Sequence, residues 1–240
     1  MKYLLFLDYD GTLTPIVDKP SLAVLSVPRR RLLKKASKNR QIKIAVVSGR
    51  KLSDLKQKVN IKGIYYAGNH GFEIEGPKVR VIHPKAKKII PTLVKIKSKL
   101  KNALKGISGI IVEDKVLTLS LHYRLAKTKD LKRIDRIFHS VTAPYKSIRA
   151  THGKKVYEVR PKVKWDKGQA VLWLIKKIAK KNKAVPIYIG DDVTDEDAFK
   201  VLKRKGLTLR VGRSKNSSAQ RFLRNVNSVY NFIESLQKMC

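Results

Sequence analysis

Tyr3-Leu4-Leu5-Phe6-Leu7-Asp8-Tyr9-Asp10-Gly11-Thr12 sets the frame for the rest of the chain. An apolar run this long and uninterrupted reads as a strand covered on both faces, as at the centre of a parallel sheet. A carboxylate directly after it is costly unless a cation or hydrogen bonds satisfy it. Side chains two apart on a strand point the same way, so Asp8 and Asp10 are expected to address one site. Taken alone, Asp10-Gly11 would be no more than a turn signal.

Working outward, residues 42–47, 64–67, 185–189 and 207–211 are further apolar, β-rich runs. Helical patterns lie between them, notably at 170–179 and 196–202. Strands alternating with helices predict an α/β fold: a parallel sheet with helices on both faces. The middle of the chain has a different order. A lysine-rich helix follows Gly76-Pro77, then a strand at 110–112, a turn at Asp114 and an alternating strand at 116–122. A second helix at 129–141 leads into a hairpin at 147–160 that turns at His152-Gly153. Helix–hairpin–helix–hairpin predicts an inserted α+β cap over 78–160, between core halves 1–77 and 161–240.

The chain has 240 residues, 42% of them hydrophobic, enough for a core plus an insert. Its net charge is +37, from 55 basic and 18 acidic residues. Lysines 85, 87, 88, 95, 97, 99, 101 and 105 follow one another without an acid, and Arg29, Arg30, Arg31, Lys34 and Lys35 form a second cluster. Apolar residues at 93, 94, 96, 100, 103, 104 and 107 are spaced helically, leaving the lysines for the outer face. No aromatic residues interleave with them as stacking platforms, so weak, salt-sensitive attraction to polyanions is expected and specific nucleic-acid recognition is not. The apolar start is cut short by Asp8 and Asp10 before a signal h-region is complete, and no segment resembles a membrane span. The single cysteine, Cys240, leaves no internal disulfide, so a reducing, cytoplasmic setting is expected; separately, the chain is expected to be a monomer.

Four segments carry candidate chemistry: Asp8 with Asp10, Ser48-Gly49-Arg50, Lys167-Gly168, and Gly190-Asp191-Asp192-Val193-Thr194-Asp195. Three follow predicted core strands, and ligands of open α/β sheets sit at the carboxyl ends of strands. Lys167 instead opens a helix. Acids near Thr194 also suit a helix N-terminus. Yet an acid cluster in so basic a chain would repel Asp8 and Asp10 unless a cation lay between them. Few oxygen ligands shared with a phosphate suit Mg²⁺.

Together these segments resemble the four motifs of the haloacid dehalogenase phosphatases, a superfamily with a Rossmann-like core. The resemblance implies that Asp8 is the nucleophile and Asp10 the general acid, then base. It implies that Ser48 and Lys167 hold the phosphoryl oxygens, and that Asp8, Asp191 and the Asp10 backbone carbonyl hold Mg²⁺. A direct metal contact by Asp192 or Asp195 stays open, with a supporting role expected. Within that superfamily, Val112-Glu113-Asp114-Lys115, His122-Tyr123-Arg124 and the stretch from Gly153 to Pro161 resemble the trehalose-6-phosphate phosphatase family. So does Gly68-Asn69-His70-Gly71-Phe72-Glu73 in the core.

This second resemblance implies that Glu113, Lys115, Arg124, Lys154 and Glu158 read a disaccharide, with Arg50 and His70 reaching from the core. His122 is expected to be structural, and cross-strand pairing of Glu113 with Lys115 is the plain alternative. Two departures stand out: the basic helix over 85–105 and Asp114, where asparagine is more usual in the family. The implied partner is a small sugar phosphate, with neither a specific nucleic acid nor a membrane. The alternatives are sucrose phosphate or mannosyl-3-phosphoglycerate as substrate, or a nucleic-acid-associated phosphatase or binding protein.

Overall fold

The computed structural model describes residues 2–153, 155–179 and 184–240. In chain order its elements begin with β1 (Tyr3–Leu7), α1 (Val27–Lys38), β2 (Ile42–Val47), α2 (Leu52–Val59), β3 (Tyr65–Gly68), β4 (Glu73–Gly76) and β5 (Val79–Ile82). Next come α3 (Pro84–Lys88), α4 (Ile90–Ala103), β6 (Ile111–Asp114), β7 (Leu119–His122), α5 (Leu131–Thr142), β8 (Ile148–Gly153) and β9 (Val156–Pro161). The last are α6 (Lys167–Ala179), β10 (Val185–Gly190), α7 (Glu196–Leu202), β11 (Leu207–Val211), β12 (Arg221–Leu223) and α8 (Val226–Lys238). The chain divides into two compact units, Met1–Val81 with Trp165–Cys240, and Ile82–Lys164.

The first unit is an eight-stranded sheet in the order β12-β11-β10-β1-β2-β3-β4-β5. From β12 to β3 every pairing is parallel, and β4 turns back antiparallel on β3. Residues 3–7 form the central strand because both of its faces are apolar. Leu5 and Leu7 enter the core shared with α1, α2 and α8, while Leu4 and Phe6 enter the opposite core under α6 and α7. This ordering sets the carboxyl ends of β1, β10 and β2 side by side, where Asp8, Asp191 and Ser48 follow.

The second unit is a four-stranded antiparallel sheet, β6-β7-β9-β8, with its own apolar core under α4 and α5. In and just beyond α4, Leu93, Ile96, Leu100, Leu104 and Ile107 are buried, and Lys95, Lys99 and Lys101 are exposed, as the periodicity predicts. Val94 and Ala103 differ, both being exposed. The strand expected from residue 116 begins only at Leu119. Val116 takes a left-handed φ of 71° in a tight turn, and Asp114 Oδ1 accepts its N–H at 2.8 Å. Residues 79–82 fall within the expected insert but form β5, which adds to the core sheet. No helix among the described residues is long and apolar enough to cross a membrane.

Candidate active site

Asp8 leaves β1 with its backbone N–H held by the Ile189 carbonyl of β10 at 2.9 Å. Its carboxylate is 4% exposed, and its Oδ1 accepts from Lys167 Nζ at 2.8 Å. Lys167, the first residue of α6, is itself buried and donates also to Asp195 Oδ1 at 2.7 Å. Burial alone would lower the Lys167 ammonium, but the Asp195 and Asp8 carboxylates override it and hold the group well above its ordinary value. Asp8 goes the other way from an ordinary carboxyl. Burial pushes its pKa well up, Lys167 opposes this, and Asp195 and Asp191 reinforce it.

Asp195 anchors this arrangement. It is fully buried, and its two oxygens accept four hydrogen bonds. Oδ1 takes Lys167 Nζ and the Tyr188 hydroxyl, each at 2.7 Å, and Oδ2 takes the backbone N–H groups of Asp191 at 3.0 Å and Asp192 at 2.9 Å. Burial would raise Asp195, but Lys167 and these donors hold it below the usual carboxylate range. Gly190 is glycine because a Cβ there would run into the Asp195 carboxylate.

Asp10 is placed differently from the sequence expectation. The strand ends at Leu7, so the two-residue alternation does not carry through to Asp10, which lies in a turn. There Leu13 and Thr14 donate backbone N–H groups to the Tyr9 carbonyl, and Gly11 has a φ of 80°. Arg50, just after β2, grips Asp10 with Nε to Oδ2 at 2.7 Å and Nη2 to Oδ1 at 2.6 Å. Ser48 is buried at the end of the same strand, and its Oγ accepts the Arg50 backbone N–H at 3.2 Å. The left-handed residue His70, φ 57°, is buried with its backbone N–H on the Ser48 carbonyl at 2.9 Å.

In the second unit, Glu113, Ser120, Glu158 and Thr151 lie in one cross-strand row. Glu158 Oε1 accepts from Lys115 Nζ and Ser120 Oγ, each at 3.3 Å, while Arg160 engages Oε2 through Nε at 3.0 Å and through Nη2. Lys115 also lies 3.9 Å from Glu113, whose Oε2 is 2.7 Å from His122 Nε2. Lys115, Glu158 and Arg160 are all buried, so this is a satisfied ionic network. Arg124 follows β7 in a turn and is half-buried. Lys154 lies outside the described residues.

A family model described as trehalose-phosphatase matches residues 6–227. This chain belongs to the trehalose-phosphatase family. Trehalose-phosphate phosphatase B of Arabidopsis thaliana is 38% identical over 249 residues, covering 97% of this chain. The match spans 66% of that relative's length, so the chain corresponds to just under two thirds of it. The C-terminal domain of C. albicans trehalose-6-phosphate phosphatase superposes with a TM-score of 0.85 at 25% identity, covering 100% of this chain and 93% of that one. A trehalose-6-phosphate phosphatase related protein shares the fold at TM-score 0.85 and 20% identity, over 98% of this chain and 97% of its own.

For a member of the trehalose-phosphatase family, the core cluster suits a small hard cation. Carboxylate oxygens of Asp8, Asp191 and Asp195, all buried, lie within 4.8 Å of one another. A Cβ at Gly11 would collide with the Asp191 carboxylate, so the glycine keeps that oxygen-lined space open. Three carboxylates face one ammonium here, and a divalent cation would offset the remaining charge. Asp195 already accepts four donors, so Asp8 and Asp191 are the carboxylates suited to hold an ion, with Asp195 fixing their surroundings. Sequence reasoning had no role for Tyr188 or Arg160. The available signals were a polar residue in the middle of an apolar strand, and an arginine two residues beyond Glu158 on the same face.

Proposed function

We propose that this chain is a Mg²⁺-dependent, monomeric, cytoplasmic phosphatase that hydrolyses trehalose 6-phosphate to trehalose and phosphate, the last step of trehalose formation, through an aspartyl phosphate. The observation that carries the reading is the buried Lys167 ammonium shared between Asp8 and Asp195, beside Asp191.

In this reading Lys167 holds Oδ1 of Asp8 and leaves Oδ2 to attack phosphorus. A carboxylate is a usable nucleophile at neutral pH without a separate base. The new Oδ2–P bond forms as the bond from phosphorus to the sugar oxygen breaks, and Asp10 gives its proton to the departing alkoxide. Asp10 then takes a proton from water, whose oxygen attacks phosphorus. Phosphate leaves and the Asp8 carboxylate is restored. Ser48 and Lys167 hold phosphoryl oxygens through donors that need no reorganisation. Mg²⁺, held by Asp8, Asp191 and the Asp10 carbonyl, would supply charge neutralisation on the transferring group. In the insert, Glu113, Lys115, Arg124, Lys154 and Glu158 are the proposed sugar-reading groups, since charged side chains can accept or donate several hydrogen bonds to hydroxyls. His70 is proposed to contribute from the core.

The test is phosphate release with added Mg²⁺ from trehalose 6-phosphate, sucrose phosphate, mannosyl-3-phosphoglycerate and glucose 6-phosphate. Trehalose 6-phosphate is expected to give the highest kcat/KM by tenfold or more, and preference for another ester would overturn the substrate. Asp8→Asn should retain less than a hundredth of the activity, a loss of about 3 kcal/mol or more in barrier. Substantial activity in that variant would remove Asp8 as nucleophile.

A further inference from the structure

Arg50 is 6% exposed, and its guanidinium is committed on three sides within the core unit. Beyond the two bonds to Asp10, Nη1 donates to Asp54 Oδ2 at 2.8 Å and Nη2 to the Pro20 carbonyl at 2.8 Å. The guanidinium carbon lies 5.1 Å from the Tyr9 ring centroid, a cation–π contact. Burial opposes the Arg50 charge, but its bonds to Asp10 and Asp54 more than offset that and raise its pKa further. An arginine fork so occupied is poorly placed to bind a phosphate or a sugar.

Asp10 is the side chain that needs such a grip. It sits in a turn beyond the end of β1, and 41% of its side chain is exposed, so neither strand regularity nor close packing on all sides fixes its rotamer. The planar fork of arginine sets both the position and the plane of a carboxylate, which lysine cannot do. Each carboxylate oxygen keeps acceptor capacity outside the fork, so a held Asp10 can still carry and release a proton.

We infer that Arg50 is a positioning residue that orients the Asp10 carboxylate for its proton transfers, and that Asp54 holds Arg50 in place for that task. The inference rests on the phosphatase reading above, in which Asp10 protonates the leaving group and then activates water. Misplacement of a proton donor by about 1 Å can cost on the order of a hundredfold in rate.

Leaving-group dependence separates this role from a structural one. A sugar alkoxide needs a proton to depart, and 4-nitrophenolate does not. First-turnover rates are measured on trehalose 6-phosphate and 4-nitrophenyl phosphate for the wild type, Arg50→Ala, Asp54→Asn, Asp10→Asn and the Asp10→Asn/Arg50→Ala double variant. Arg50→Ala is expected to lose tenfold or more on the sugar ester but less than threefold on the nitrophenyl ester. The latter should then show a burst of nitrophenolate, because water activation still depends on Asp10. Asp54→Asn, which changes a less buried group and should keep the fold, is expected to show the same pattern at about threefold amplitude. The double variant should be no worse than Asp10→Asn, since one residue acts through the other.

Equal losses on both esters, or losses that multiply in the double variant, would overturn the inference. If Arg50→Ala fails to fold by thermal melting, Asp54→Asn decides, and absence of leaving-group dependence there overturns it. An Asp10→Asn variant without leaving-group dependence would instead remove Asp10 as acid and so defeat the underlying phosphatase reading.

Discussion

Asp195→Asn should destabilise the core far more than its change of a single atom suggests. The wild-type carboxylate presents an ammonium and a phenol to one oxygen and two backbone N–H groups to the other. An amide has one acceptor oxygen. In one orientation its NH2 faces Lys167 and Tyr188, and in the other it faces the two N–H groups. Facing the N–H groups, the amide loses both of their hydrogen bonds; facing Lys167 and Tyr188 it strands the buried ammonium, since only the hydroxyl can turn to accept, and each bond lost is worth about 1.5–3 kcal/mol where a charged group takes part. Removing the negative charge relieves some repulsion with Asp8, which trims the sum. A net cost of about 3–5 kcal/mol follows, in line with breaking one partner of a buried ion pair.

Both tryptophans, Trp165 and Trp173, belong to the core unit, so their fluorescence in a urea titration reports that unit by itself. The midpoint should fall with m unchanged. The melting temperature should drop by roughly 6–20 °C, at 2–4 °C per kcal/mol for a unit of this size. Asp195 has a lowered folded pKa, so its contribution is present above its unfolded value near 3.8 and is lost as pH falls through the folded value. The gap between variant and wild type should therefore close in acid. A cost below about 1 kcal/mol at neutral pH would refute the claim that all four bonds matter.

Four further outcomes are expected. Alkali should unfold the core from about pH 10 upward, because burial raises the Tyr188 phenol and carries Tyr9 to about 12; their stabilisation is full below the unfolded value of 10.0 and is lost above it. Tyrosinate absorbance that rises before the fluorescence transition would contradict this. Glu113→Ala should cut kcat/KM for trehalose 6-phosphate tenfold or more and spare 4-nitrophenyl phosphate, as removal of remote binding energy does. Glu158→Ala should in addition cost about 3 kcal/mol of insert stability, since it takes from the buried Arg160 and Lys115 the carboxylate they share and leaves Lys115 with Glu113 at 3.9 Å, and a native-like melt would argue against the network. Binding to DNA and RNA should be weak, blind to sequence and abolished above ~0.2 M salt; tight binding to one sequence in a mobility-shift assay would reverse the assessment of the charge.

The core strands that were legible in the sequence are those dense in apolar residues. β1, β2, β3 and β10 are nearly continuous apolar runs and β11 sets Leu207, Leu209 and Val211 against Thr208 and Arg210, and all five lie inside the sheet. β12 was not legible, because Arg221-Phe222-Leu223 is a short outer strand whose side chains are mostly exposed. The turn at Val116 was hidden for a different reason. A β-branched residue rarely adopts a left-handed φ, and the Asp114 side chain that supports it could equally have been a cap. In the site, Asp8, Lys167 and Asp191 could be proposed from motif and position. What Asp195 holds could not, because its partners come from β10, the following loop and α6. The Arg50–Asp10 pair was likewise invisible, since it depends on the chain leaving the strand after Leu7.

The placement of β1 has a consequence for synthesis. β2 is available to pair with it early, but its other neighbour is β10, whose residues 185–190 are made much later. At 5–20 residues per second, roughly 10–40 s separate translation of Asp8 from that of Asp195. Throughout that interval one edge of the most apolar strand lacks its partner, and an open edge is a template for pairing with other chains. The insert, whose apolar core is built from residues within 82–164, can complete that core while the nascent chain waits. Slowing the ribosome between codons 165 and 195 should therefore lower the soluble yield, and chaperone demand should peak before the last 50 or so residues emerge.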